Sequence, residues 1–221
     1  MRKAIPFALP VVLLTAATTL IGLTRRPAAL AADAPREIAF VSLEGSVQPL
    51  KKAFNKHKSR PRILVLVSAT CPACIHGTRA VQEAIVEPTP PIGAEIFVVW
   101  LDVLPFDGKK TAAKTAQILS PDPRIHHFHD PDRLVGKAVA RSLQWDEGFA
   151  WDIYLLYQTG TQWKELPPAP QGYVHQLSRR SEDGHFCSGE SLVPDLKNLV
   201  APLANTKEAA GRALDSQKPR D

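Results

Sequence analysis

Cysteine is scarce in this chain. Three in 221 residues are too few for a disulfide scaffold, so the fold must rest on its own core. The 44 % hydrophobic content is enough for one and argues against disorder throughout. The body of the chain also lacks excess charge. The formal +5 owes much to Arg2, Lys3, Arg25 and Arg26. All four lie before residue 32 with no acid among them, and the rest carries 23 bases against 22 acids. Such a surface offers nothing to a nucleic acid. Internal repeats are absent. So is a second Cys or Cys/His pair at the spacing that would close a zinc knuckle.

Arg2 and Lys3 introduce an apolar run from Ala4 to Leu23, and Ala29-Leu30-Ala31 offers a small-x-small cleavage site before Ala32. That is the secretory pattern, and it predicts a mature chain starting at or near Ala32. An uncleaved membrane anchor is the alternative, because the run is close to bilayer-spanning length and Arg25 and Arg26 stand between it and the cleavage site. Either way the remainder faces outside the cytoplasm, in a bacterium the periplasm. Only an uncleaved segment would bring contact with a membrane. The expected division is a leader over 1–31, one domain over 36–204 and a polar, flexible tail over 205–221.

The chain is organised around Val65-Leu66-Val67-Ser68-Ala69-Thr70-Cys71-Pro72-Ala73-Cys74. A β-branched apolar run delivers Cys-x-x-Cys to the start of a helical stretch ending near Val86. Cys71 falls at the helix N-cap, where unpaired N–H groups and the helix dipole favour a thiolate. Pro72 suits the first helical position. Cys74, one turn on, is placed to attack a mixed disulfide formed at Cys71. A structural disulfide and half of a metal site remain alternative readings of the pair.

Strands are expected at 37–43, 62–69, 95–103, 125–129 and 151–157, and helices at 46–58, 72–86, 111–119, about 130–143 and 191–203. Thr159-Gly160 should turn the last of these strands into a hairpin with 162–165, followed by an irregular loop over 166–173. The β-α-β unit at the centre predicts a parallel, right-handed crossover.

The Cys-Pro-x-Cys site and the element order resemble the thioredoxin superfamily, and in particular extracytoplasmic thioredoxin-like reductases. The Val-Val-Trp strand, the Asp130-Pro131-Asp132 helix start and the strand Trp151-Asp152-Ile153-Tyr154-Leu155-Leu156-Tyr157 resemble a group of bacterial thioredoxin-like proteins. The resemblance, over about residues 60 to 200, implies a three-layer α/β fold. Its central mixed sheet would carry an inserted strand and helix. It implies thiol–disulfide exchange with Cys71 as attacking thiolate and Cys74 as resolving thiol. The partner would be a protein thiol or disulfide, and the redox-active disulfide would serve without a cofactor. Pro72-Ala73 lacks the histidine of the strongest oxidants, which points towards a reductant.

Three departures stand out against that resemblance. The cis-proline that faces the cysteines in thioredoxins is missing; Trp151 or Ala150 is expected in its place, with an ordinary trans bond, because a non-proline cis bond costs roughly 3–4 kcal/mol. Val65 replaces the buried acid, leaving Glu44 and Asp102 as candidates for proton transfer with Cys74. Thr70 replaces the aromatic residue before the first cysteine. The missing proline raises the case for a soft-metal protein binding Cu or Hg through Cys71 and Cys74.

His126-His127-x-His129 places His127 and His129 on one strand face and His126 on the other. With Asp130 or Asp132, or with the cysteines and Cys187, the same-face pair could ligate a metal; a solvated strand edge is the plainer reading. His76 and His175 are further candidates near the cysteines. Cys187 is a possible third thiol or simply a buried small residue.

Overall fold

The computed structural model describes residues 36–146 and 148–215, with side chains to residue 203. The expected leader over 1–31 lies outside the described residues, as do the last six of the expected tail. Elements follow in the order β1 (Phe40–Ser42), α1 (Gln48–Lys56), β2 (Arg62–Ser68), α2 (Pro72–Val81), β3 (Glu95–Leu101), α3 (Lys109–Thr115), β4 (Ile125–Asp130), α4 (Leu134–Ser142), β5 (Ile153–Tyr157), β6 (Gly172–His175) and α5 (Leu192–Asp215).

They build one six-stranded sheet in the order β1-β4-β3-β2-β5-β6. The neighbours among β1 to β4 pair parallel, whereas β5 runs antiparallel to β2 and β6 antiparallel to β5. β2, β3 and β5 are buried at every residue. Their near-continuous apolar sequences reflect helices on both faces of the sheet. One face carries Ile63, Val65, Val67, Ile96, Val98, Trp100 and Tyr154 under α2, α3 and α5. The other carries Leu64, Leu66, Phe97, Val99, Phe128 and Leu155 under α1 and α4. The unit β2-α2-β3 with β5-β6-α5, and α3 and β4 inserted after β3, is the thioredoxin topology with the extra strand and helix expected from the sequence.

Two boundaries differ from expectation. Residues 162–165 do not pair with β5, whose partner is β6 at 172–175. The connecting segment is instead fastened to the other side of the domain. The Asn55 amide donates to the Trp163 carbonyl at 2.9 Å and accepts its N–H at 2.8 Å. The fully buried Arg62 guanidinium donates to the carbonyls of Gln158 and Thr161. The boundary expected near residue 204 falls inside α5, which continues to Asp215. Lys207, Glu208, Ala209, Ala210, Ala213 and Leu214 there are good helix formers.

Helix α2 does not end at Val81 but passes into a π-helical turn over Gln82–Val86. Its middle is pressed against the sheet at Gly77. A Cβ there would lie 1.6 Å from the Tyr154 hydroxyl oxygen. Tyr154 is fully buried and its ring has nowhere to swing. Gly77→Ala should therefore destabilise the domain by about 1–3 kcal/mol in spite of alanine's better helix propensity, measured as a lower urea midpoint. An unchanged or raised midpoint would show that Tyr154 can give way.

Candidate active site

Strand β2 ends at Ser68, the chain turns through Ala69 and Thr70, and Cys71 stands at the N-cap of α2 with Pro72 as the first helical residue. Cys71 is partly exposed and Cys74 is buried, and both are free thiols. The pair is electrostatically unequal. Donation from the Cys74 thiol, followed by the backbone N–H groups of Cys74 and Ala73, outweighs burial and brings the Cys71 thiol down to about 6. Burial, reinforced by the neighbouring Cys71 and Asp152, drives Cys74 well upward. At neutral pH the exposed sulfur is therefore a thiolate and the buried one a thiol, the division a nucleophile and its resolving partner need.

Alkylation of the reduced protein should label Cys71 first, with a rate that rises through a midpoint near pH 6. Faster labelling of Cys74, or a midpoint near the ordinary thiol value of about 8.5, would contradict this polarity.

The acid that meets the cysteines is Asp152. Its carboxylate and the two sulfurs all lie within 4.8 Å of one another. Burial pushes its pKa up, against hydrogen bonds from Gln176, Tyr154 and Cys74. The Tyr154 hydroxyl donates to Asp152 Oδ1 at 3.0 Å, and Gln176 Nε2 reaches both that oxygen (2.9 Å) and the Ala73 carbonyl (3.0 Å). This network ties β5 and the residue after β6 to the first turn of α2, with a titratable carboxyl at its centre.

Glu44 and Asp102 do not take that role. Asp102 Oδ1 is 3.0 Å from His129 Nε2, and Glu44 is exposed on the turn after β1. The expected occupant of the proline position is also corrected. Asp152, not Trp151 or Ala150, stands against the sulfurs. Ala150 is buried and donates its N–H to the Gly136 carbonyl on α4. Trp151 is partly buried and packs into both cores. The bonds of this segment are trans, as expected, the cis bond among the described residues being Thr89–Pro90. Asp152 has φ 49°, in the left-handed region where Asp is one of the few tolerated side chains. Proline, fixed near −65°, cannot occupy this backbone. An aspartate with this backbone, not a proline, faces the sulfurs.

Thr70 has a role the sequence did not suggest. Its N–H and hydroxyl both donate to Asp107 Oδ1, at 2.9 and 2.7 Å, while Ser68 Oγ donates to Asp107 Oδ2 at 2.7 Å. Ser68 Oγ in turn accepts the Cys71 N–H at 3.2 Å. Asp107 also accepts the N–H groups of Val103 and Leu104. One carboxylate thereby clamps the cysteine loop to the loop after β3. Burial opposes its charge, but these hydrogen bonds leave its pKa below the ordinary value.

The remaining candidates are dispersed. Cys187 is buried in the apolar core with its sulfur 3.5 Å from the His175 carbonyl, and burial drives its thiol to about 12. It stays outside the group formed by Cys71, Cys74 and Asp152. His175 is fully buried, accepts the Leu177 N–H at Nδ1 and bonds Asp183 through Nε2, which fixes a neutral ring with the proton on Nε2. His76 is exposed on α2, with Nε2 3.1 Å from the Gly189 carbonyl. His127 accepts the Trp100 indole N–H and His129 pairs with Asp102, so these two rings do not form a joint ligand set with the cysteines.

No protein-family model matches the sequence. Neither does any curated protein. Among solved structures, the chain is similar to the thioredoxin domain of a thiol-disulfide oxidoreductase from Bacteroides vulgatus, at 15 % identity and a TM-score of 0.37, covering 66 % of this chain and 83 % of that one. By its own sheet order, with the Cys-x-x-Cys pair at the start of α2, the chain has a thioredoxin-like α/β fold.

Proposed function

We propose that the protein exchanges thiols and disulfides with a protein partner outside the cytoplasm, acting as a reductant. The observation that supports this most is the unequal pair itself, an exposed thiolate at a helix N-cap beside a buried thiol that touches a buried carboxyl. The Cys71 thiolate attacks a substrate disulfide, forms a mixed disulfide and expels one substrate thiolate. Asp152 takes the Cys74 proton. The Cys74 sulfur then attacks Cys71, closes the Cys71–Cys74 disulfide and releases the second substrate thiol. Two electrons pass from the pair to the substrate, and no cofactor beyond the pair is needed. A thiol near 6 lies closer to the reducing than to the strongly oxidising members of this motif class, whose first cysteines span about 7 to about 3.5. The extracytoplasmic setting rests on the leader pattern at the N-terminus.

Insulin reduction with dithiothreitol as electron source tests the reading. Cys71→Ser should abolish turnover. Cys74→Ser should still attack but accumulate a mixed disulfide, visible by mass spectrometry. Turnover that survives Cys71→Ser would end the proposal.

The mutual approach of two sulfurs and a carboxylate also favours a second reading, a soft-metal protein for Cu or Hg. Titration of the reduced protein with Cu(I) separates the two, since an exchanger without metal function would hold the ion no better than a simple dithiol.

A further inference from the structure

At the opposite end of the parallel strands, three residues far apart in sequence converge. His57 caps the C-terminus of α1, Glu95 opens β3 and His126 is the second residue of β4. In the parallel register His126 lies opposite Phe97, and Glu95 shares the Phe97 face because side chains alternate along a strand. Helix α1 covers that same face. Glu95 Oε2 is 2.9 Å from His126 Nε2 and 3.5 Å from His57 Nδ1, and one ligating atom from each residue lies within 4.8 Å of the others.

We propose that His57, Glu95 and His126 form a binding site for a divalent transition-metal ion, with Zn(II) the best fit. The donor set of two imidazoles and one carboxylate suits zinc. Zn–N and Zn–O bonds of about 2.0–2.1 Å place tetrahedral ligand atoms about 3.3 Å apart, and the observed 2.9 and 3.5 Å bracket that spacing. The surroundings are those of a prepared site. Arg60 Nη1 holds the other carboxylate oxygen, Oε1, at 2.8 Å, which orients Oε2 towards the imidazoles, as outer partners do for metal ligands. Phe97 stacks on His126 with centroids 5.0 Å apart and meets His57 edge-on at 6.0 Å, fixing both rings. Glu95 is buried, while the two histidines keep 26 % and 29 % of their side chains exposed. An ion can therefore enter from solvent and keep water at the fourth position. The nearby Arg60 and Lys56 charges oppose a cation and set the affinity below that of a closed structural site. The bound ion would join the end of α1 to β3 and β4.

The test uses the full chain carrying Cys71→Ser and Cys74→Ser, so that the cysteine pair cannot compete. Co(II) titration should give saturable visible d–d absorption without a near-ultraviolet sulfur-to-cobalt band. Zn(II) should displace it and raise the thermal midpoint. His57→Ala and His126→Phe, the latter keeping an aromatic ring against Phe97, should each weaken binding at least about tenfold; circular dichroism would confirm that both remain folded. Absence of saturable binding, a sulfur band, or affinity unchanged in both histidine variants would overturn the assignment. None of these outcomes bears on thiol exchange, so this site and the cysteine pair stand or fall separately.

Discussion

Replacing Asp152 by Asn should slow the second half of the exchange reaction by about a hundredfold or more while leaving the first attack intact. A positioned base contributes roughly 10²–10⁴ in rate, and Asp152 is the carboxyl in contact with Cys74. Asparagine can still accept from Tyr154 and Gln176 through its carbonyl oxygen, so the network holding β5 to α2 survives and the fold with it. The charge does not survive. The Asp152 carboxylate raises Cys71 slightly as well as Cys74, so its loss should move the alkylation midpoint of Cys71 below 6 rather than above it. Stopped-flow tryptophan fluorescence with a disulfide substrate would resolve the two steps. Equal slowing of both, or of neither, would remove Asp152 from proton transfer.

Asp107→Ala should cost about 2–4 kcal/mol of stability, seen as a lower denaturant midpoint with an unchanged slope. Five hydrogen bonds are lost at once, several of them from groups with little access to water. The same change frees Ser68 and Thr70, so Cys71 should lose part of its ordered N-cap geometry and its alkylation midpoint should rise. Asp107→Asn should retain about half of the effect. The pH dependence has a definite sign. Because the folded pKa of Asp107 lies below its ordinary value, its contribution is complete above the unfolded pKa near 3.9 and fades as pH falls through the lower folded one. The alanine variant should therefore lose less stability than the parent over that acid range. A midpoint within about 0.5 kcal/mol of the parent would show the clamp to be dispensable.

The legible parts of this molecule are those with local signals. The apolar run over 62–68, the proline after Cys71 and the apolar strands at 95–101 and 153–157 announce themselves by pattern, and with them the central layer and the cysteine pair. β6 is only four residues, Gly172 to His175, and follows a proline-rich stretch, so no periodicity marks it. Asp107 and Asp152 are polar residues in loops whose sequence says nothing of the carboxylates' partners. Asp152 bears no mark in the sequence that sets it apart from its neighbours Ala150 and Trp151 as the residue that meets the sulfurs. Asp tolerates the left-handed backbone it adopts there better than Trp or Ala. His126 stood alone on its strand face because its companions are 31 and 69 positions away; only the parallel register of β3 with β4, and the docking of α1, make them neighbours.

The central strand has a consequence for synthesis. β2 is flanked on one side by β3 and on the other by β5, so its second partner emerges from the ribosome some eighty residues after Cys74. Asp152 and Tyr154 arrive with that strand and Gln176 only after β6. Until β5 arrives a nascent chain lacks the carboxyl that meets Cys74. The acid beside the two sulfurs is in place only once β5 has closed on β2.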